Sequence, residues 1–459
     1  MRYLSTRGET PPQSFQDAVL MGLAPDRGLL VPERIPDVSD RLDAWRQLDF
    51  VELAIEIVSL YCDDIPRADL EDIVRRSYAS FDSPEVTPMV EVDDYRVLEL
   101  FHGPTLAFKD VALQLLGNLF EYILDRRGRT LNILGATSGD TGSAAIAGVR
   151  GCEHVQIYIM FPEGRTSRIQ ELQMTTVDAP NVHTLRVAGS FDDCQAIMKS
   201  AFGDLAFKEA HHLGAVNSVN WARVLAQIVY YFHAGLRAAP DGGAVTFAVP
   251  TGNFGDIFAG WLAARMGLPV DRLVLATNEN DILATFFRTG VYRRGEVHFT
   301  VSPSMDIQVA SNFERFLYYR LGEDPAALRE AMERFARDGE LRLDDGAPID
   351  DRIVARSVNT EETLAVIRET WLGQHYLLDP HTAVGVVAGQ ELRTGSPLVC
   401  LATAHPAKFP ESVERALGED LARHPRVDAL DGLPTRSTPL PADEEAVKAF
   451  IAEQDRLPA

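Results

Sequence analysis

The chain has 459 residues, an apolar fraction of 46 %, a charged fraction of 24 % and a formal net charge of −23. One compact core does not absorb that length, so two or three packed units are expected, and the composition is that of an ordinary soluble globular protein. The acidic balance excludes an electrostatic grip on nucleic acid or on an anionic membrane, so any anionic ligand must be held locally by specific cations, hydroxyls and backbone N–H groups.

The opening MRYLSTRGETPPQSF lacks the apolar core of a signal peptide, and no stretch approaches the roughly 18 apolar residues of a membrane span, so a cytoplasmic protein is expected. Gly- and Pro-punctuated segments such as Ala24–Pro32 come first. Val51, Ala54, Ile57, Val58 and Tyr61 then recur at the spacing of one helix face, before Pro84 and Pro88 break the chain. Residues 1–95 read as an N-terminal domain that packs on the catalytic unit without building it. Cys62, Cys152, Cys194 and Cys400 lie far apart with no C-x-x-C spacing. Free thiols are expected, with neither a disulfide framework nor a metal site.

From residue 96 the pattern changes to short apolar runs, each followed by a small-residue turn and an amphipathic segment, which is the βα alternation of a parallel sheet. Strands are predicted at Thr130–Leu134, Val155–Phe161, Val182–Val187, Val245–Val249, Leu273–Ala276 and Leu398–Ala402, with helices at Ala222–Phe232 and Ile257–Met266. Two α/β lobes are expected, a smaller one at 96–235 and a larger one at 236–430. The tail at 431–459, rich in Pro and acidic residues, is read as a surface wrap with a last helix at Glu444–Gln454.

In open α/β sheets ligands lie beyond the carboxyl ends of the strands. Three such turns are unusual here. Gly135–Gly142 (GATSGDTG) offers successive backbone N–H groups at a helix start, suited to a carboxylate or phosphate. Pro250–Asp256 (PTGNFGD) has Gly252 and Gly255 for close approach to a phosphate, with Thr251 and Asn253 as side-chain donors. It matches neither a Walker loop nor a dinucleotide fingerprint. Ala402–Phe409 (ATAHPAKF) puts the Thr403 hydroxyl at a strand end; His405 is read as structural, and Lys408 as either a surface cation or part of an anion site. Each turn taken alone is also compatible with a plain tight connection.

Lys109 sits in FHGPTLAFKD between Leu106, Ala107, Phe108 and Val111, Ala112, Leu113. Apolar surroundings disfavour an ammonium and lower its basicity, as a Schiff-base lysine requires. A desolvated lysine, a phosphate turn, an anion turn and a strand-end hydroxyl are together what pyridoxal phosphate catalysis asks of a protein.

The strings FHGPTLAFKD, TSGDTG, VNSVNWAR, PTGNFGD and TAHPAKF, in this order after YLSTRG and GLAPDRGLLVP, resemble the threonine synthase family over residues 3 to about 415. The resemblance implies a fold-type II architecture like that of the tryptophan synthase β chain, two α/β lobes plus an N-terminal domain, with pyridoxal 5'-phosphate between the lobes. It implies a carbon–oxygen lyase that turns O-phospho-L-homoserine and water into L-threonine and phosphate, working as a monomer or homodimer. Lys109 then matches the Schiff-base lysine, with Phe108 beside it. Thr251, Gly252, Asn253, Phe254, Gly255 and Asp256 match the cofactor phosphate loop, and Thr403 the partner of the pyridine nitrogen. Ser138, Gly139, Asp140, Thr141 and Gly142 match the loop for the substrate carboxylate. Arg165, Asn217, Ser218 and Arg223 stand where the substrate phosphate is expected. Asp140 departs from the Asn of many fold-type II relatives, and an ionised Asp cannot donate the hydrogen bond that an Asn can.

Overall fold

The computed structural model describes residues 1–137, 139–216, 218–343 and 349–455. Within them the βα alternation resolves into two main sheets. The larger has the strand order Ile353–Ser357, Val270–Thr277, Val245–Pro250, Leu398–Ala402, Tyr95–Glu99 and Met89–Val92. All of its pairings are parallel except the antiparallel hairpin formed by the last two strands. The smaller runs Thr438–Pro441, Val182–Ala188, Val155–Pro162, Leu131–Ala136 and Leu213–Gly214, parallel throughout. Val245–Pro250 and Leu398–Ala402 are buried at every residue, which is why they read as unbroken apolar runs.

Strand ends differ from the sequence reading by a few residues where polar side chains hide continued main-chain pairing. Val270, Asp271 and Arg272 extend the run at Leu273, with a register shift opposite Val245 and Thr246. The helix predicted at Ala222–Phe232 runs from Trp221 to Ala238, and the last helix is Glu444–Gln454.

The helix Phe50–Tyr61 starts on a capping box of Asp49 and Glu52 and buries Ala54, Ile57, Val58 and Tyr61, with Val51 half-buried. Its core is continuous with that of the lobes: the rings of Tyr3 and Tyr61 lie 5.9 and 5.6 Å from that of Trp221.

Two features depart from the expected division of the chain. Met89–Val92, inside the segment read as only packing on the catalytic unit, is an edge strand of the larger sheet. The expected boundary after residue 95 falls inside its partner strand Tyr95–Glu99. The tail contributes the edge strand Thr438–Pro441 to the smaller sheet, and Pro439 and Pro441, which lack an N–H, suit an edge. The four cysteines are free, and among the described residues no helix is long and apolar enough to cross a membrane.

Candidate active site

The lysine is positioned by a turn sewn to the larger sheet. Thr105 donates its backbone N–H and its hydroxyl to the Asp110 carboxylate at 2.8 and 2.7 Å, which closes the first turn of the helix Lys109–Arg127. Phe108 N–H donates to the Thr403 carbonyl at 2.8 Å and His405 N–H to the Leu106 carbonyl at 3.0 Å. The loop before Lys109 and the end of the strand Leu398–Ala402 therefore move as one piece. The Lys109 side chain is 12 % exposed, with Nζ 3.5 Å from Asp140 Oδ2 and 5.4 Å from the Phe108 ring centroid. Burial lowers the basicity of its amine; Asp140 opposes that shift, while Lys408 and Arg223 reinforce it.

The second turn follows the strand Leu131–Ala136. Thr137 Oγ1 accepts the N–H groups of Gly139 and Gly142, each at 3.0 Å, and Gly139 has a φ of +155° with Gln170 where a Cβ would go. Asp140 opens the next helix. Its carboxylate receives Gln170 Nε2 at 2.9 Å and Ser304 Oγ at 3.1 Å, and Lys408 Nζ lies 3.0 Å away. Burial alone would raise this carboxyl, but Lys408, then Lys109 and Gln170, outweigh it and hold Asp140 well below the usual carboxylate range. Asp140 is thus an ionised acceptor turned into the site. Its side chain repels a carboxylate, and the Gly139 and Gly142 N–H groups of its turn are already taken by Thr137. Thr141 lines the cavity beside it, and Ser138 lies outside the described residues.

The third turn, Thr251–Gly255, joins the strand Val245–Pro250 to the helix Gly255–Arg265. Phe254 takes a left-handed φ of +65°, a strained choice for an aromatic residue. Its ring is held against Phe287, Phe313 and Phe316 at centroid distances of 5.9, 5.6 and 5.6 Å. That packing fixes a backbone nest of the kind that grips phosphate. Little more than a glycine fits at either end: a Cβ on Gly252 would lie 3.0 Å from the Ser304 carbonyl oxygen, and one on Gly255 3.2 Å from Asn312 Nδ2. The Thr251 hydroxyl donates to the Val249 carbonyl at 2.7 Å, so it serves the turn rather than offering the donor expected of it. Asp256 accepts both Tyr230 and Tyr231 hydroxyls, and burial pushes its carboxyl up to about 6 against them.

These turns converge on one cavity lined by Phe108, Lys109, Asp140, Thr141, Ser218, Arg223, Thr251–Asp256 and Thr403. Arg223 is 5 % exposed, and its Nε and Nη1 have no hydrogen-bond partner. Burial lowers its guanidinium to about 10. A buried cation with orphaned donors is costly unless an anion completes it. Arg223 is not an exposed helix arginine, because the helix Trp221–Ala238 is buried along almost its whole length. Arg165, in contrast, is exposed in the turn after the strand Val155–Pro162 and does not line the cavity. Asn217 lies outside the described residues.

Several lining residues carried no signal in the sequence reading. Ser304 and Met305 come from a single short turn, His381 from a helix start, Asn312 from the residue before a helix, and Gln227 from within the helix Trp221–Ala238. Asn312 ties Asn253 to Ser218, donating from Nδ2 to the Ser218 carbonyl at 3.0 Å and from its backbone N–H to the Asn253 carbonyl at 3.0 Å. His405 is a structural residue, as read: its Nδ1 accepts the Ala407 N–H, and burial lowers it to about 4.

A low-basicity amine at a helix start, sharing a cavity with an orphaned guanidinium and a strained turn, fits pyridoxal phosphate, and residues 81–404 match the pyridoxal-phosphate dependent enzyme family model. The fold and cavity thus define an enzyme of that cofactor class. Residues 2–78 match the model for the threonine synthase N terminus and residues 382–451 that for its C-terminal region. A curated threonine synthase from Pseudomonas aeruginosa is 46 % identical over 99 % of this chain and 98 % of its own length. The crystal structure of pyridoxal-phosphate-bound threonine synthase from Brucella melitensis superposes with a TM-score of 0.96 at 45 % identity, covering 100 % of both chains. That of threonine synthase from yeast gives 0.95 at 43 %, covering 99 % of this chain and 98 % of that one. The chain belongs to the threonine synthase family.

Proposed function

We propose that this enzyme converts O-phospho-L-homoserine and water into L-threonine and inorganic phosphate, the last step of threonine biosynthesis. The observation that carries the reading is the meeting, in one cavity, of the Lys109 amine, the nest at Gly252–Gly255 and the unpartnered Arg223 guanidinium.

Lys109 would carry the cofactor; Gly252, Asn253, Phe254 and Gly255 would hold its phosphate, and the Thr403 hydroxyl would partner its ring nitrogen. When bound, pyridoxal phosphate supplies an aldehyde that bonds amines and a ring that accepts negative charge from the neighbouring carbons. The Lys109 amine would take the proton from substrate Cα and then exchange protons along the carbon chain, for which its place in the cavity suits it. The turn Gly139–Gly142, shaped by the bonds of Thr137 to the Gly139 and Gly142 N–H groups, would orient the substrate carboxylate through Thr141, which lines the cavity, with Ser138. Arg223 and Ser218, with Asn217, receive the γ-phosphate as the Cγ–O bond breaks, so that the departing dianion meets a preformed cation. The hydroxyl of water ends on Cβ and a proton on Cγ. A hydroxyl at Thr403, where a carboxylate would protonate the ring nitrogen, limits the ring as an electron sink and favours elimination.

The reading includes a cytoplasmic location, a monomer or homodimer, and an N-terminal domain followed by a smaller lobe, a larger lobe and a tail, with the hairpin at residues 89–99 counted in the larger lobe. Purified protein given cofactor, O-phospho-L-homoserine and water enriched in oxygen-18 tests the activity. Threonine with label on its hydroxyl, and free phosphate, are expected. Formation of 2-oxobutyrate with no threonine would instead make the protein a phospho-lyase.

A further inference from the structure

Lys408 has no part in the chemistry above, yet its side chain is fully buried beside it. It sits in the short turn Pro406–Lys408 after the strand Leu398–Ala402. Its Nζ lies 3.0 Å from Asp140 Oδ1 and donates to the Thr105 carbonyl at 2.7 Å and to Gln173 Oε1 at 2.9 Å. Three partners exhaust an ammonium. Lys408 is therefore committed to the protein and has no donor left for substrate.

Asp140 is gripped from both sides, with Lys408 on Oδ1 and Lys109 on Oδ2 at 3.5 Å. Resting on the assignment of Lys109 as the cofactor lysine, we infer that Lys408 is a positioning residue that neutralises Asp140 from behind and so keeps the Lys109 amine available uncharged. Without Lys408, Asp140 would have one close cation left, and the buried carboxylate would stabilise Lys109 as an ammonium. Lys109 also loses a like charge when Lys408 is removed, and both effects act in the same direction.

The other ionisable groups around the amine are otherwise engaged. Asp110 is held by Thr105, and Asp256 by Tyr230 and Tyr231. Asp379 pairs with His381, whose Nε2 accepts the Ser304 N–H. Arg223 adds to the effect of Lys408. Gln170 and Ser304 bond Asp140 without adding charge.

The test is the pH dependence of Lys109 acetylation by acetic anhydride in the full-length, cofactor-free chain, read by peptide mapping, with folding checked by circular dichroism. Lys408→Met raises the midpoint by about one pH unit, so labelling below the midpoint slows about tenfold. Lys408→Arg, which keeps the charge, stays near wild type. Asp140→Asn lowers the midpoint, and Asp140→Asn/Lys408→Met brings it back towards wild type. An unmoved midpoint in folded Lys408→Met overturns the inference. If that variant does not fold, an Asp140→Asn midpoint equal to that of wild type overturns it. Borohydride trapping of wild-type holoenzyme on another residue would instead refute the role of Lys109 and leave the midpoints to be judged separately.

Discussion

Gly117 and Gly148 meet main chain to main chain: a Cβ on Gly117 would lie 1.9 Å from the Gly148 carbonyl oxygen, and one on Gly148 would lie 2.5 Å from the Leu113 carbonyl oxygen. The two helices in contact begin at Lys109 and at Asp140. A glycine inside a helix costs roughly 0.5–1 kcal/mol relative to alanine. Here that cost is offset by an approach that no other residue permits.

Gly148→Ala should therefore destabilise the protein, despite its better helix propensity. The atoms a methyl group would meet are backbone, which cannot turn aside, so a loss of about 1–3 kcal/mol is expected from overpacking. Urea unfolding measures it. A midpoint equal to or above that of wild type would contradict the close crossing.

Arg223→Met should separate stability from function. Removing a buried guanidinium with two unpartnered nitrogens relieves a desolvation cost, so the ligand-free variant should melt at or above the wild-type temperature. Turnover should fall, because a charge-assisted grip on the departing phosphate is worth several kcal/mol. A drop in kcat/KM of about 100-fold or more is expected. Wild-type kcat/KM in this variant would remove Arg223 from the phosphate site.

The three turns were legible because parallel strands buried on both faces stand out as apolar runs, and the turn after each run lies at the ligand end of the sheet. Arg223 was placed only by the family resemblance: the helix Trp221–Ala238 also carries Gln227, His233 and Arg237, and nothing in its sequence says that its first arginine is buried. Ser304 and Asn312 were not. They act on Asp140 and Asn253 from far along the chain, and the short turn Pro303–Met305 carries no strand–turn–helix pattern. Asp379-Pro380-His381 announces a helix start, but nothing local says that the histidine reaches the cavity. The hairpin at residues 89–99 was hidden for a similar reason: its edge strand is half exposed and comes after a proline break, so it reads as the end of a domain.

Phe254→Gly and Phe254→Ala distinguish backbone strain from packing at the phosphate nest. Both lose the aromatic cluster, which costs about 3–5 kcal/mol for a buried Phe. Only glycine takes the left-handed φ freely, so Phe254→Gly should be more stable than Phe254→Ala by roughly 1 kcal/mol. Both should bind pyridoxal phosphate more weakly, as followed by its visible absorbance. Equal urea midpoints would mean that the turn stores no strain.

His233 gives the stability an acid dependence that a single substitution can isolate. The ring is buried, 5.3 Å from that of Phe50, with Nδ1 3.3 Å from Thr87 Oγ1, and burial lowers it to about 3. In the unfolded chain the same imidazole takes a proton near pH 6.5. Its contribution is therefore intact above that value. Below it the unfolded state binds a proton that the folded state refuses, and stability falls by about 1.4 kcal/mol per pH unit until the folded value is reached. His405, lowered to about 4, acts in the same sense, whereas His102, raised by Glu99 and Asp82 against its burial, acts in the opposite one. Both are common to wild type and a His233→Phe variant, so they cancel in the comparison. His233→Phe should be less stable at pH 7.5, where Thr87 loses its partner, yet its unfolding free energy should decline less steeply between pH 6 and pH 4, by about 1.4 kcal/mol per unit. Parallel pH profiles for the two proteins would show that the folded ring accepts the proton after all.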